Sequence, residues 1–424
     1  MRPARPRSCP GPVGFLALFV AVATAAALPG CDRAQAGSGA EATREALPNG
    51  GSLVRYAALP AEPTVTLEPD LSIGVLEGEA WEMFGDVRGI DADADGNIHI
   101  LDFQTRDIRV FDAEGGYLRT LGGPGEGPGE ISAANGIQFD PDGRLWVNDH
   151  GKMHLLVLAA DGTELERVPF PVRSFGFVWE GAMDREGRLW HAFTERAGPA
   201  SMPEDGLNES TARRWMTSFD PGSGTADSVF VGEQASRSFR IRMGNGFMVR
   251  GIPHSPSSFL RMDPLGGFWR GDGSGDYRVA RLDGAGDTVV VVDVALDRIP
   301  VTASDRDRFI GQMTGQDPDL ERPARELAGL MPARKPAVDQ AFADLEGRLW
   351  VRRVADPDAR PLYDLFDREG EHLITLELGF EPMAYWVPTI RDGNAYFLVA
   401  GELGVASVVR VPLGDLPARG PASD

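Results

Sequence analysis

One phrase returns along this chain and leaves few ways for it to fold. It is met as GIDADADGNIHILD at residues 89–102 and as GIQFDPDGRLWVND at residues 136–149. Further copies are AMDREGRLWHAF at 182–193, LRMDPLGGFWRGD at 260–272, AFADLEGRLWVRR at 341–353 and, more loosely, TIRDGNAYFLV at 389–399. Each has an apolar-leaning run, an Asp-x-x-Gly type turn whose glycine accepts a positive φ, and a strand pattern with an aromatic residue or histidine near its start. Each copy therefore reads as a β-hairpin.

A second hairpin pattern follows five of the copies, as in RDIRVFDAEGGYLRTLG at 106–122 and PLYDLFDREGEHLITLEL at 361–378. Two hairpins make a four-stranded antiparallel unit. The turn glycines Gly96, Gly143, Gly187, Gly266, Gly347 and Gly393 stand 47, 44, 79, 81 and 46 residues apart. The short steps match one propeller blade, and the two long ones are a blade plus an insertion. One such sheet cannot shield both faces from water, whereas six around an axis bury each against the next. The expected fold is all-β: a six-bladed β-propeller of four-stranded antiparallel blades over residues 61–415, with a tail at 416–424. The sixth copy is followed by one clear strand pattern, so residues 64–78 are expected to supply its outer strand and close the ring.

The run ILDFQTRDIRVFDAEGGYLRTLGGPGEGPGEI at 100–131 resembles the NHL-repeat family. It has an Asp ending the second strand, an Arg-x-x-Arg-V-F third strand and a Gly-Pro-Gly-Glu link to the next blade. The resemblance is specific in the first two copies. It implies a fold more than an activity, because propellers host many functions.

Residues 1–31 read as a targeting segment, with Arg2, Arg5 and Arg7 ahead of an apolar stretch at 13–28. The segment ends Leu28-Pro29-Gly30-Cys31, which resembles a bacterial lipobox and implies lipidation of Cys31 and an extracytoplasmic, membrane-anchored protein. Residues 32–60, rich in Ala, Gly and polar residues, read as a flexible tether. The only other cysteine, Cys9, lies inside the targeting segment, so the mature chain has no intramolecular disulfide. Loss of residues 1–31 removes three arginines and no acids, taking the net charge from −21 to −24. Nucleic acid is a poor partner for such a chain; the expected partners are a protein or a small molecule.

Two insertions break the period. Residues 196–214 are polar and read as a loop. Residues 300–336 carry Ser304 as an N-cap and Phe309, Ile310, Met313, Leu320, Leu327 and Leu330 at helical spacing, a short helical insertion between blades four and five. It would either lie across the channel as a lid or pack outside the ring.

Asp102, Asp149 and Asp272 close the second strands of their blades and should point to one end of the ring. With Arg106, His150 and Arg353 nearby, they form a candidate ligand site at the channel mouth; the alternative is that the aspartates cap turns. Asp91, Asp93, Asp95, Asn97 and Asp102 have the spacing of a calcium loop, but hairpin flanks in place of helices favour a plain turn. His150 and His154 stand four apart, which brings two imidazoles onto one metal on a helix and not on a loop entering a strand. GGPGEGPGE at 122–130 lacks the amides of a phosphate cradle and reads as an inter-blade link. No nucleophile elbow appears, no catalytic residue is assigned, and no metal or other cofactor is expected. The reading is a tethered propeller acting as a ligand- or protein-binding or scaffold module. The alternative is a metal-dependent hydrolase of the lactonase type or a lyase, as in some propellers of similar shape; a spacer role comes third.

Overall fold

The structure is a computed structural model and describes residues 40–170, 179, 181–196, 205–244, 246–256, 259–356, 359–401 and 404–417. The targeting segment and Cys31 lie outside these residues.

The repeated phrase folds through its aspartate. In the second copy, Asp140 Oδ1 accepts the amides of Asp142 and Arg144, each at 2.9 Å, while Oδ2 accepts Arg144 Nε at 2.7 Å and Trp146 Nε1 at 2.8 Å. Gly143, at φ 78°, closes the turn. Asp184 does the same for Arg188 and Trp190, and Asp344 for Arg348 and Trp350. One carboxylate thus fixes the turn, the following arginine and the tryptophan of the next strand. Where Arg and Trp change, the wiring changes. Asp93 uses Asn97 instead, and Asp263, followed by Gly267 in the arginine position, takes Arg368 Nε of the fifth blade at 2.7 Å.

Six sheets follow in chain order, each built outward from the axis by antiparallel neighbours, and six apolar cores fill the six joints between them. The fold is the expected six-bladed propeller. The inner strands are Val87–Ala92, Ala134–Phe139, Ala182–Met183, Leu260–Met262, Val338–Ala343 and Thr389–Arg391. The Asp-x-x-Gly turns share one end of the ring, the turn end, and the links between blades share the other, the connection end. His99 occupies the tryptophan column in blade one, fully buried and edge-on to Phe139 of blade two at 4.8 Å.

The N-terminal part corrects the tether expectation. Residues 42–56 form a hairpin, β1 (Ala42–Ala46) and β2 (Ser52–Tyr56), and β2 adds in parallel to Thr288–Val294, the outer strand of blade four. The reason is apolar: Val54 and Tyr56 are buried beside Val290, Val292 and Phe366, and the Tyr56 hydroxyl donates to Gly370 O at 2.8 Å. Next, β3 (Val65–Leu67) pairs in parallel with His372–Leu378 of blade five, and β4 (Leu71–Ile73) supplies the outer strand of blade six against Ala406–Pro412. Residues 42–73 therefore run as a strap along the outer edges of three successive blades. At the other end, Leu416 packs against the core, and its carbonyl accepts Arg348 Nη1 at 3.2 Å.

The first insertion is corrected as well. Residues 206–214 continue the strand Gly206–Asp220 and pair with 232–240 of Thr225–Met243, a strand of 19 residues spanning about 60 Å at roughly 3.3 Å per residue. Its far half, with Gly246–Gly251, forms an arm beyond the connection end. The second insertion holds helices α1 (Ala303–Gln316) and α2 (Glu321–Gly329). The N-cap is Thr302 in place of Ser304, because Thr302 and Asp305 form a reciprocal capping box. The helices pack on the arm: Phe239, Ile241 and Ile252 meet Met313, Leu320, Ala324 and Leu327.

Candidate ligand-binding cavity

All six inner strands face one cavity of about 830 Å³ on the ring axis. Blade three shapes it most. Its inner strand has two residues, so His191, Ala192, Phe193 and Thr194 of the second strand form the wall there. At the connection end the rim is aromatic: Trp179, Tyr385 and Trp386 lie in the links leading to inner strands, and Phe193 faces them from blade three. Tyr385 is 51% exposed, whereas Trp179 and Trp386 are 7% and 4% exposed. No residue of α1 or α2 lines this cavity, so the insertion lies against the arm and forms none of the wall.

The charged groups of the wall are engaged with partners. Asp91 of blade one accepts Arg391 Nη2 of blade six at 2.9 Å and the Phe139 amide of blade two at 2.7 Å, so one carboxylate ties three blades. Burial works against the Arg391 charge, and the Asp91 carboxylate outweighs it, holding the Arg391 pKa above its ordinary value. Arg88 forks onto Asp86 at 2.7 and 2.6 Å and lies over the Phe103 ring. Asp344 is spent on its turn, and Arg261 and His191 are not without partners.

The six residues expected at a channel mouth do not line this cavity. Asp102, fully buried, accepts the amides of Gly85 at 2.8 Å and Asp86 at 3.0 Å; Asp149 accepts those of Ser132 and Ala133. Both pin the link that precedes the inner strand of their blade, so the mouth expectation is corrected toward turn capping. Arg353 is buried in blade five, bidentate to Asp364 at 2.8 and 2.6 Å. Asp272 is exposed on the outer part of blade four, 3.8 Å from Arg278. Arg106 is exposed at φ 59°, and His150 stacks on Phe103 with ring centres 6.4 Å apart. In the calcium-like run, Asp93 serves Asp95, Asn97 and its amide, and Asp91 serves Arg391. Among the described residues, no group of three or more His, Cys, Asp or Glu side chains is placed to hold a metal ion.

Residues 83–194 match the DUF5128 family, described as a 6-bladed beta-propeller. A search of curated proteins finds no match. Among solved structures, the chain is similar to an exported protein, so named provisionally, of Bacteroides fragilis, at 12% identity over 85% of this chain and 99% of that one, with a TM-score of 0.44. It is also similar to a member of the duf4221 family from Bacteroides vulgatus, at 10% identity over 82% and 97%, TM-score 0.44. A gluconolactonase from Xanthomonas campestris follows at 13% identity over 83% and 98%, TM-score 0.39. At these scores the likenesses carry no argument about activity.

The rim tryptophans escaped the sequence reading because they belong to no copy of the repeated phrase. Trp179 and Trp386 sit in the links before blades three and six. Their signal was a large aromatic in a connection rather than in a strand, and each packs into a joint of the ring, Trp179 between blades two and three and Trp386 between blades six and one.

Proposed function

We propose that this chain is an extracytoplasmic propeller, held to a membrane through a lipid on Cys31, that binds a ligand in its axial cavity from the connection end. The observation that carries the reading is the cavity itself: about 830 Å³, shared by all six blades, aromatic at one rim, with its wall charges already paired. Concave, largely apolar sites of this size suit small molecules and short peptides. The reading requires no cofactor. A metal-dependent lactonase or lyase needs a convergent ligand set, and the acids of this wall, Asp91 and Asp344, are held by arginines.

Native mass spectrometry of the protein isolated from its own envelope tests the reading. A bound species is expected in the natural chain and lost in Ala182→Trp, which fills the cavity. Identical spectra with no bound species in either protein overturn it. Cys31→Ser is expected to release the protein from the membrane fraction; continued membrane retention would remove the lipid-anchor part.

A further inference from the structure

Charge and exposed apolar surface are both unevenly placed on this molecule. Among the described residues, thirteen large hydrophobic side chains are exposed, and ten of them lie at the connection end or on the arm, led by Leu76, Met153 and Tyr385, each more than half exposed. The other three, Leu118, Leu165 and Phe230, sit on outer strands, so the turn end has none. The arm also reverses the charge. Residues 205–214 and 232–251 hold six arginines against Asp205, Glu209 and Glu233, a net of +3 on a chain that carries −24 once residues 1–31 are lost. At its tip, where Thr225–Met243 meets Gly246–Gly251, Met243, Phe247 and Val249 are exposed. Arg240 lies over the Phe247 ring at 4.3 Å, Arg240 and Arg242 share Asp205, and Arg250 donates to the neutral Gln316. The helices α1 and α2 cover Phe239, Ile241 and Met248 on one face of the arm, while Arg240, Arg242, Phe247 and Val249 alternate onto the other. The acids of the helix junction, Asp317 and Asp319, belong to the covered face.

The chain enters the ring from this same end. Ala42 pairs with Tyr56, and Tyr56 with Val294 at the connection end of blade four, next to the blade that bears the arm. Residues 31–42, at about 3.5 Å per residue, reach no further than about 40 Å. Residues 232–243 of the arm, at about 3.3 Å each, extend about 40 Å. A lipid on Cys31 and the tip of the arm can therefore meet one plane. From this we infer that the connection end faces the membrane and that the arm tip is a second foothold, with Met243 and Phe247 in the headgroup layer and the arginines on anionic lipid. The inference rests on the Cys31 anchor proposed above and is independent of the axial ligand. An anionic surface repels most of this protein, so the positive arm is the part that approaches it, and the approach fixes the orientation of the ring. Exposed rings and aliphatic side chains beside arginines suit a bilayer interface, which takes the apolar groups into its boundary and offers phosphates to the guanidiniums.

The test uses the lipidated protein isolated from its envelope, in which Cys9 has left with the targeting segment and Cys31 is acylated, so that an introduced cysteine is the single free thiol. Bimane is attached at Met243→Cys on the tip or at Ala285→Cys in a turn of the turn end. The protein is then placed in phosphatidylcholine vesicles with and without phosphatidylglycerol, doped with a doxyl-lipid quencher. On the mixed vesicles the tip label is expected to be quenched and the Ala285 label to stay in water. Arg242→Gln with Arg250→Gln should lower the contact equilibrium about 25-fold, about fivefold for each charge; both side chains are exposed, so the fold is retained. Phe247→Ser should lower it with the salt dependence unchanged. If the tip label stays unquenched on mixed vesicles, if both labels are quenched alike, or if phosphatidylcholine alone quenches the tip as fully, the inference fails while the anchor stands. A tip label that shifts with rising protein concentration in the absence of vesicles gives the arm to a second copy and also overturns it. A free Cys31 thiol in the isolated protein removes the anchor and the inference together.

Discussion

The Tyr277 hydroxyl donates to Asp364 Oδ2 at 2.7 Å across the joint between blades four and five. The same buried carboxylate accepts Arg353 through two nitrogens and Thr375 Oγ1 at 2.7 Å, so four strands of two blades meet on one aspartate. Blade one carries the inverse arrangement at the matching places, with Asp102 on the second strand and Arg109 on the third, 3.4 Å apart. Asp364→Ala leaves a buried guanidinium alone and should cost about 3–5 kcal/mol. Asp272→Ala, at an exposed site, should stay within about 0.5 kcal/mol. Urea unfolding of the two variants checks the contrast.

Trp350 and Trp269 hold the same place in successive repeats but differ in one bond. Trp350 Nε1 donates to Asp344 at 2.8 Å, while Trp269 Nε1 is buried and has no acceptor among the described residues. Both substitutions to Phe lose ring volume, so the difference isolates the hydrogen bond. Trp350→Phe should be the more destabilising by about 1–2 kcal/mol, measured as the shift in denaturation midpoint at constant slope.

A chain beginning at Ala58 lacks β1 and β2. It should expose Val290 and Val292 and leave the outer edge of blade four unpaired, a template for association. Compared with a chain beginning at residue 39, it should melt several degrees lower and form soluble aggregates by light scattering. Equal melting of the two would show that the hairpin adds no stability.

Burial lowers the pKa of His99 and of His372 from the ordinary 6.5. Both rings therefore bind a proton less readily when folded than when unfolded, and the unfolded chain takes up the extra protons as the pH falls. Stability is complete above about pH 6.5 and is lost as the pH falls below it toward the depressed folded values. Urea midpoints should be lower at pH 5.5 than at 7.5, and His99→Phe with His372→Gln should narrow that gap. An unchanged gap would place the acid sensitivity on other groups.

The blades were legible because their instruction is local: an aspartate and a glycine within a few residues close the hairpin, and in blades two, three and five the same aspartate also holds the tryptophan of the next strand. The hairpin β1–β2 was not, because ATREA and SLVRY gain their reason to be strands from Val290–Val294, far along the chain. The arm at 206–214 was unreadable for a different reason. Its residues are largely solvent-facing, so no apolar alternation marks it, and pairing with 232–240 alone makes it a strand. As for the site, the aspartates drew attention by repeating, yet repetition marked the parts that hold each blade together. The cavity wall is where the blades differ, and one sequence offers no column in which to see those differences.

The strap at residues 42–73 also sets an order of events. Val54 pairs with Val292 and Leu71 with Arg410, so the first strands to leave the ribosome have partners that are made late and last. Four finished blades cannot shut the circle; closure waits for Ala406–Pro412 to capture β4. Any chain cut short before that strand remains an open ring with β4 unclaimed, and the cell receives a sharp difference between a complete molecule and an incomplete one.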